Sequence, residues 1–494
     1  MTDSSVPPGG HRSGRGPRRR AEKPHRSGPP RGRSGPSRPP QGDPAREAAL
    51  DTLRAVREDG AYANLTLPRL LRERRISGRD SALATDLAYG ACRAQGLLDA
   101  VLGACVDRPL DRLDGVVLDA LRLGAQQLLR SRIPAHAAVG ATVELVRSRA
   151  GSKPTGFVNA VLRRVGERDE AAWLARLAPD AAEDPLGHLA LVHAHPRWIA
   201  EVFRDALGAG GENAGDDELG AALAADDARP TVHLAARPGE ISAEELAAIT
   251  GGEEAPYSPY GVHLTEGGDP GDLEPVREGL AVVQDEGSQL VALAAARAGL
   301  EGRDELWLDL CAGPGGKAVM LGALAAIEGA TLDAVDRAPH RAALVEKATT
   351  GLPVRVHVGD AREVVLPEAA YDRVLVDAPC TGLGALRRRP EARWRRRAED
   401  VAELTELQRS LLRHALERVR PGGVVTYATC SPHPAETVEV VRAVVAETGA
   451  EVLDTGALFP GVPDAAVPDG PGVQLWPHRH GTDAMYCATL RRPD

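Results

Sequence analysis

Aromatic residues are scarce in this chain: Phe, Trp and Tyr together make 3% of its 494 residues. That argues against a protein that binds single strands along an aromatic-lined groove. No apolar run approaches the roughly 20 residues needed to cross a bilayer. The opening "MTDSSVPPGG" lacks the apolar core of a secretory signal, so no membrane association and a cytoplasmic location are expected. Cysteine is sparse as well. Six unclustered cysteines exclude a disulfide scaffold and suit a reducing compartment. The chain has no C-x-x-C redox or zinc spacing, no G-x-G-x-x-G and no G-x-x-x-x-G-K-[ST] phosphate loop, which weakens the redox, metal and dinucleotide readings.

Charge is present but unevenly placed. Residues 1–42 carry ten Lys/Arg and two acids, a net of +8, against −18 for the remainder. Such a Pro/Gly/Ser/Arg tail cannot bury a core and is expected to be disordered. It reads equally well as an RNA-binding arm, gaining affinity by counterion release, or as a solubilising extension. The length suits two to four domains.

The boundaries expected are a basic tail over 1–43, an all-α domain over 44–170, a small α+β linker over 171–280 and an α/β Rossmann-like domain over 281–494. In the second of these, "REAALDTLRAVRE", "LDGVVLDALRLGAQQLLR" and "GFVNAVLRRV" place apolar residues at helical spacing, which predicts five to seven helices. In the last, strands alternate with helices, as in a parallel sheet whose ligands lie beyond the carboxyl ends of the strands. Asp309, Asp336, Asp360, Asp377, Cys380 and Cys430 all fall at such ends.

The acids point to a cofactor. "DLCAGPGG" is a Gly-rich turn between strand and helix, and Asp336 follows Asp309 by 27 residues, where a ribose diol needs a carboxylate. Asp360 stands where an adenine edge would lie. S-adenosylmethionine fits this order better than NAD, whose pyrophosphate needs the missing glycine fingerprint. Any single acid is more often a cap or a surface turn; four at successive strand ends are harder to explain that way.

The thiols point to a reaction. "VLVDAPCTG" and "VVTYATCSP" each end a β-branched run on a cysteine, Cys380 and Cys430. Carbon 5 of cytosine becomes nucleophilic only after a thiolate adds to carbon 6, and a base must then remove the carbon-5 proton. Two cysteines flanking one flipped pyrimidine would supply both. The blander reading is a pair of buried structural thiols.

Two resemblances follow from longer stretches. "LATDLAYGACR", "IPAHAAVGATVELVR" and "GFVNAVLRRV" are similar to the helical domain of the antitermination factor NusB, which implies RNA contact. "VQDEGSQL", "DLCAGPGGK", "DAPCTGLGALRRRPEARW", "PGGVVTYATCS" and "HGTDAMYCATL" resemble the Sun/Fmu family of RNA (cytosine-5) methyltransferases. The resemblance covers nearly everything after residue 44. It implies Cys430 as nucleophile, Cys380 in proton removal and product release, and Asp377 between cofactor and cytosine. Cys311, Ala312, Gly313, Pro314, Gly315, Gly316 and Lys317 would form the cofactor loop, with Asp336, Asp360 and Asp377 completing the S-adenosylmethionine site and no metal. The chain departs from the family in "ETVE", where only Glu436 matches a usual Glu-Asn-Glu, and in "TDAMYCA", which replaces Asp-Gly-Phe-Phe.

The function implied is transfer of a methyl group to carbon 5 of a cytosine in RNA, small-subunit (16S) ribosomal RNA before others, by a monomer. A non-catalytic antitermination-type RNA binder and a cytosine-5 enzyme acting on tRNA or DNA remain as alternatives. The run "RRRPEARWRRR" (387–397) holds seven arginines. A solvated charged helix is its ordinary reading, but beside Cys380 a phosphate contact is the stronger expectation.

Overall fold

The computed structural model describes residues 43–208, 215–265, 267–468 and 470–493. The basic tail, residues 1–42, and most of "GAGGENAG" lie outside the described residues.

Seven α-helices form the front among the described residues 44–165: α1 (Pro44–Asp59), α2 (Ala63–Glu73), α3 (Gly78–Arg93), α4 (Gln95–Cys105), α5 (Gly115–Arg130), α6 (Ala135–Ala150) and α7 (Thr155–Val165). Local chemistry fixes their ends. Asp43 caps α1 by accepting from Arg46 N, Pro44 stands at the first helical position, and Gly60 closes the helix in the left-handed region, as capping rules require. With few aromatics available, the core is built from Leu, Ala and Val, including Leu50, Leu87, Leu98, Val101, Leu121 and Leu162. Such small side chains need close helix approach. A Cβ on Gly124 of α5 would lie 2.7 Å from Leu162 of α7.

A linker follows. Helices Arg197–Leu207 and Asp216–Asp227 bury Ile199, Phe203, Leu219 and Leu223 together with Trp476 from near the C-terminus. The acidic "DDELG" is the first turn of the second of these helices; its three acids suit a helix N-terminus. Strands β1 (His233–Ala236), β2 (Glu253–Glu254), β3 (Gly261–His263) and β4 (Ala281–Val283) form an antiparallel sheet in the order β2-β3-β1-β4.

The third layer is an eight-stranded mixed sheet. Its strands are β5 (Leu306–Asp309), β6 (Thr331–Asp336), β7 (Val354–Val358), β8 (Tyr371–Asp377), β9 (Val419–Thr429), β10 (Glu451–Val452), β11 (Val473–Gln474) and β12 (Tyr486–Arg491). Among the described residues the order is β10-β12-β9-β8-β5-β6-β7, with β11 on β12. The strands β7, β6, β5, β8 and β9 run parallel, as the alternation implies; β10, β11 and β12 are antiparallel additions. "TDAMYCA" packs well: Met485, Tyr486 and Cys487 are buried, and β12 pairs with β9 over six residues. Tyr371 and Val374–Val376 are buried in β8, and so are Asp372 and Arg373, as in a central strand covered on both faces.

Candidate active site

Asp377 ends β8 opposite Ala428 of β9, so the two turns that follow lie side by side. The sulfurs of Cys380 and Cys430 are 3.5 Å apart. The pair is held from below. Ala378 N donates to Ala428 O at 2.9 Å, and Gly384 N donates to Cys430 O at 2.9 Å. Gln408 Nε2 donates to Pro379 O at 2.8 Å and to Glu436 Oε1 at 3.0 Å. Glu436, fully buried, also accepts from Thr381 N at 2.8 Å and from the Thr381 hydroxyl.

This contact sets the protonation of the thiols. The hydrogen bond from Cys380 draws the Cys430 thiol below its ordinary range against the opposing effect of burial, and the charges of Arg389 and Lys317 add to that. The same bond, with burial, pushes Cys380 well up. Of the two, Cys430 is the thiol that loses its proton more readily.

The turn after β5 faces this pair. Burial opposes the charge on Lys317, but Asp377 outweighs it and holds the ammonium protonated. Lys317 Nζ donates to Asp377 Oδ2 at 2.8 Å and to Ser288 Oγ at 2.7 Å. Asp309 accepts from Cys311 N at 3.2 Å through one oxygen. Its other oxygen is buried without a partner among the described residues. Burial, then the Asp377 charge, pushes the Asp309 carboxyl up to about 7. Asp336 accepts from Gly313 N at 3.0 Å and Ala338 N at 2.8 Å. A Cβ at Gly313 would sit 2.2 Å from Asp336 Oδ2, so this residue must be glycine. Gly315 has φ +119° and opens the helix Gly316–Glu328, a conformation that favours glycine.

Of the residues expected at the site, the structure brings together Cys380, Cys430, Asp377 and Lys317, and it sets Asp336 against the 311–317 turn. Asp360 stands apart, two residues beyond β7. Arg362 takes both of its oxygens, at 2.8 and 2.6 Å, and lowers its carboxyl to about 2. Sequence reasoning missed Ser288, Thr381, Gln408 and the supporting role of Glu436. Ser288 lies inside the quoted "VQDEGSQL", whose stretch was noticed without a task for any side chain.

The arginine run is corrected by the structure. Arg387 and Arg388 each pair with Asp285 and Asp483 at 2.7–3.0 Å. Arg393 is completely buried; it pairs with Asp226 and Asp227 at 3.3 and 3.0 Å and donates to Ala194 O. Trp394 Nε1 donates to Cys92 O of α3 at 2.8 Å, and its ring fills the space beside Gly96 of α4. Glu391 accepts from Ala63 N at 3.3 Å. The segment is therefore mainly a strap that ties the helical front and the linker to the catalytic sheet. Long-range acids satisfy its charge where RNA phosphates were expected.

A Rossmann-like sheet with an acid-lined glycine turn, joined to a helical domain of this type, defines a methyltransferase with a NusB front. The family model described as NusB family matches residues 43–167, and that for 16S rRNA methyltransferase RsmB/F matches residues 300–491. A Mycobacterium tuberculosis protein whose name says methyltransferase and no more is 58% identical over 450 residues, 91% of this chain and 97% of its own. Ribosomal RNA small subunit methyltransferase B of Pseudomonas syringae pv. tomato is 33% identical over 456 residues, 90% and 96% of the two chains. The crystal structure of PH0851 shares the fold, with TM-score 0.74 at 23% identity over 92% of this chain and 99% of that one. The chain belongs to the RsmB/F methyltransferase family.

It is accordingly an S-adenosylmethionine-dependent RNA methyltransferase, with RNA as its partner. No helix among the described residues is long and apolar enough to cross a membrane. The turn after β5 fits the cofactor. The unpartnered Asp309 oxygen offers an acceptor for an ammonium group, and the glycines leave room for close backbone approach.

Proposed function

We propose that this enzyme methylates carbon 5 of a cytosine in small-subunit (16S) ribosomal RNA through a covalent cysteine–cytosine intermediate. The observation that supports this best is the sulfur–sulfur contact of 3.5 Å, in which Cys430 is the more acidic thiol. Cys430 attacks carbon 6 as thiolate; Cys380 gives its own proton to solvent before its sulfur takes the carbon-5 proton, and Cys430 then leaves carbon 6 as thiolate. Asp377 has one oxygen held by Lys317. Its other oxygen suits the cytosine amino group, a donor that carboxylates accept.

S-adenosylmethionine supplies the methyl group. Cys311, Ala312, Gly313, Pro314, Gly315 and Gly316 would line its methionine end, with Asp336 on the ribose and Asp360 nearest the adenine. For Asp360 this needs its Arg362 contact to share or yield an oxygen. The base must leave its stack to reach the thiols, since they lie at the floor of strand-end turns.

The test is chemical identification of the product. Unmodified small-subunit ribosomal RNA transcript, incubated with enzyme and methyl-labelled cofactor, should yield labelled 5-methylcytidine after digestion to nucleosides. Label in any other nucleoside would overturn the assignment of the reacting atom. Label in tRNA or DNA but not in ribosomal RNA would overturn that of the substrate.

A further inference from the structure

Two arginines of the strap, Arg389 and Arg396, have no carboxylate partner, and Arg389 is the more exposed of them. Arg389 is exposed, and its guanidinium makes no hydrogen bond or short ion pair among the described residues. Its neighbours differ. Arg387, Arg388, Arg393 and Arg397 have carboxylate partners within 4 Å. Arg395 donates to Gly60 O and Ala61 O and lies 3.6 Å from Glu391.

What holds Arg389 is a ring from the other domain. Its guanidinium carbon lies 5.3 Å from the centroid of Tyr62, and that of Arg395 lies 5.0 Å from the same ring. Tyr62 is 39% exposed and caps α2 in extended conformation. A cation–π contact orients a guanidinium without neutralising it, unlike a carboxylate. The arginine also sits close to the chemistry. Gly384 N is bonded to Cys430 O, and Arg389 N to Ala385 O, so a single turn of chain separates the nucleophile's backbone from Arg389. Its charge reaches the Cys430 sulfur.

We propose that Arg389, oriented by Tyr62 of the helical domain, binds a backbone phosphate of the RNA strand next to the nucleotide that enters the thiol pocket. The proposal rests on the reading of Cys430 as the reactive centre. Tyr62 is then a positioning residue, and the substrate-binding edge is built jointly by the helical front and the catalytic sheet. An exposed guanidinium with no carboxylate within salt-bridge distance, beside a strand-end pocket, is the chemistry that recognises phosphate. It also leaves sequence unread, as backbone contacts do.

The experiment measures affinity for an unmodified small-subunit ribosomal RNA transcript at several salt concentrations. Arg389→Gln should bind about tenfold more weakly, and the slope of log affinity against log salt should fall by about 0.7. Cofactor affinity and melting temperature should stay at wild-type values. Tyr62→Leu should shift binding in the same direction by less, and Tyr62→Phe, which keeps the ring face, should restore it. An unchanged salt slope in folded Arg389→Gln overturns the proposal. So does Tyr62→Leu if it lowers melting temperature without weakening RNA binding, because the ring is then structural only. Failure here is separable from failure of the proposed reaction: wild-type enzyme would still give 5-methylcytidine with an unaltered slope in the variant.

Discussion

At the residue scale, the site works by deciding where protons sit. Asp309 has an ordinary value of 3.8 and is pushed up to about 7 by burial, then by Asp377. Between those values the folded enzyme holds a proton that the unfolded chain has released. Its contribution to stability is therefore complete below 3.8 and is lost as pH rises through about 7. Urea midpoints of cofactor-free enzyme should fall over that window, and Asp309→Asn should flatten the fall. A variant that tracks the wild type at every pH would mean that Asp309 is ionised throughout. Glu436 fixes geometry where Asp309 fixes charge. Glu436→Gln weakens three hydrogen bonds to a buried carboxylate, worth about 1.5–3 kcal/mol each when charged. Turnover should drop sharply with cofactor affinity unchanged; equal turnover would show that Cys380 needs no such support. The cysteines were legible because β-branched runs end on them. Glu436 was legible only as a match to a pattern, since its partners Thr381 and Gln408 lie 55 and 28 residues away.

At the scale of elements, alternation of strand and helix made the parallel core and its acid-bearing ends readable. The strap was not readable. Seven arginines in a row of eleven residues look like a surface, because the few local acids, Glu391 and Asp400, reach only Arg395 and Arg397. The acids of the others come from afar: Asp483 is 96 residues from Arg387, and Asp227 is 166 from Arg393. The helix Asp216–Asp227 supplies the acids at one end. The turns around β4 and before β12 supply those at the other. Arg393→Ala removes the buried cation that Asp226 and Asp227 share and leaves them only His195 and Arg130, which should cost up to about 3–5 kcal/mol. The expected outcome is a lower urea midpoint, measured by circular dichroism, with helical front and linker losing protection from hydrogen exchange first. Uniform loss of protection over the whole chain would contradict a strap that acts between domains.

At the scale of the molecule, the helical front, the linker and the catalytic sheet meet in one set of contacts, and those contacts run directly into the turns that carry the thiols. Recognition of RNA and chemistry on its base are thereby joined through rigid elements. The central claim is that two touching thiols divide the work of one substitution at cytosine. Denaturing electrophoresis of enzyme incubated with ribosomal RNA transcript and methyl-labelled cofactor tests it most directly. Cys380→Ala should accumulate a labelled protein–RNA adduct, because attack and methylation proceed while release stalls. Cys430→Ala should be inactive and leave the RNA free. An adduct on Cys430→Ala and none on Cys380→Ala would reverse the two roles, and full activity in both variants without any adduct would contradict covalent catalysis by this pair.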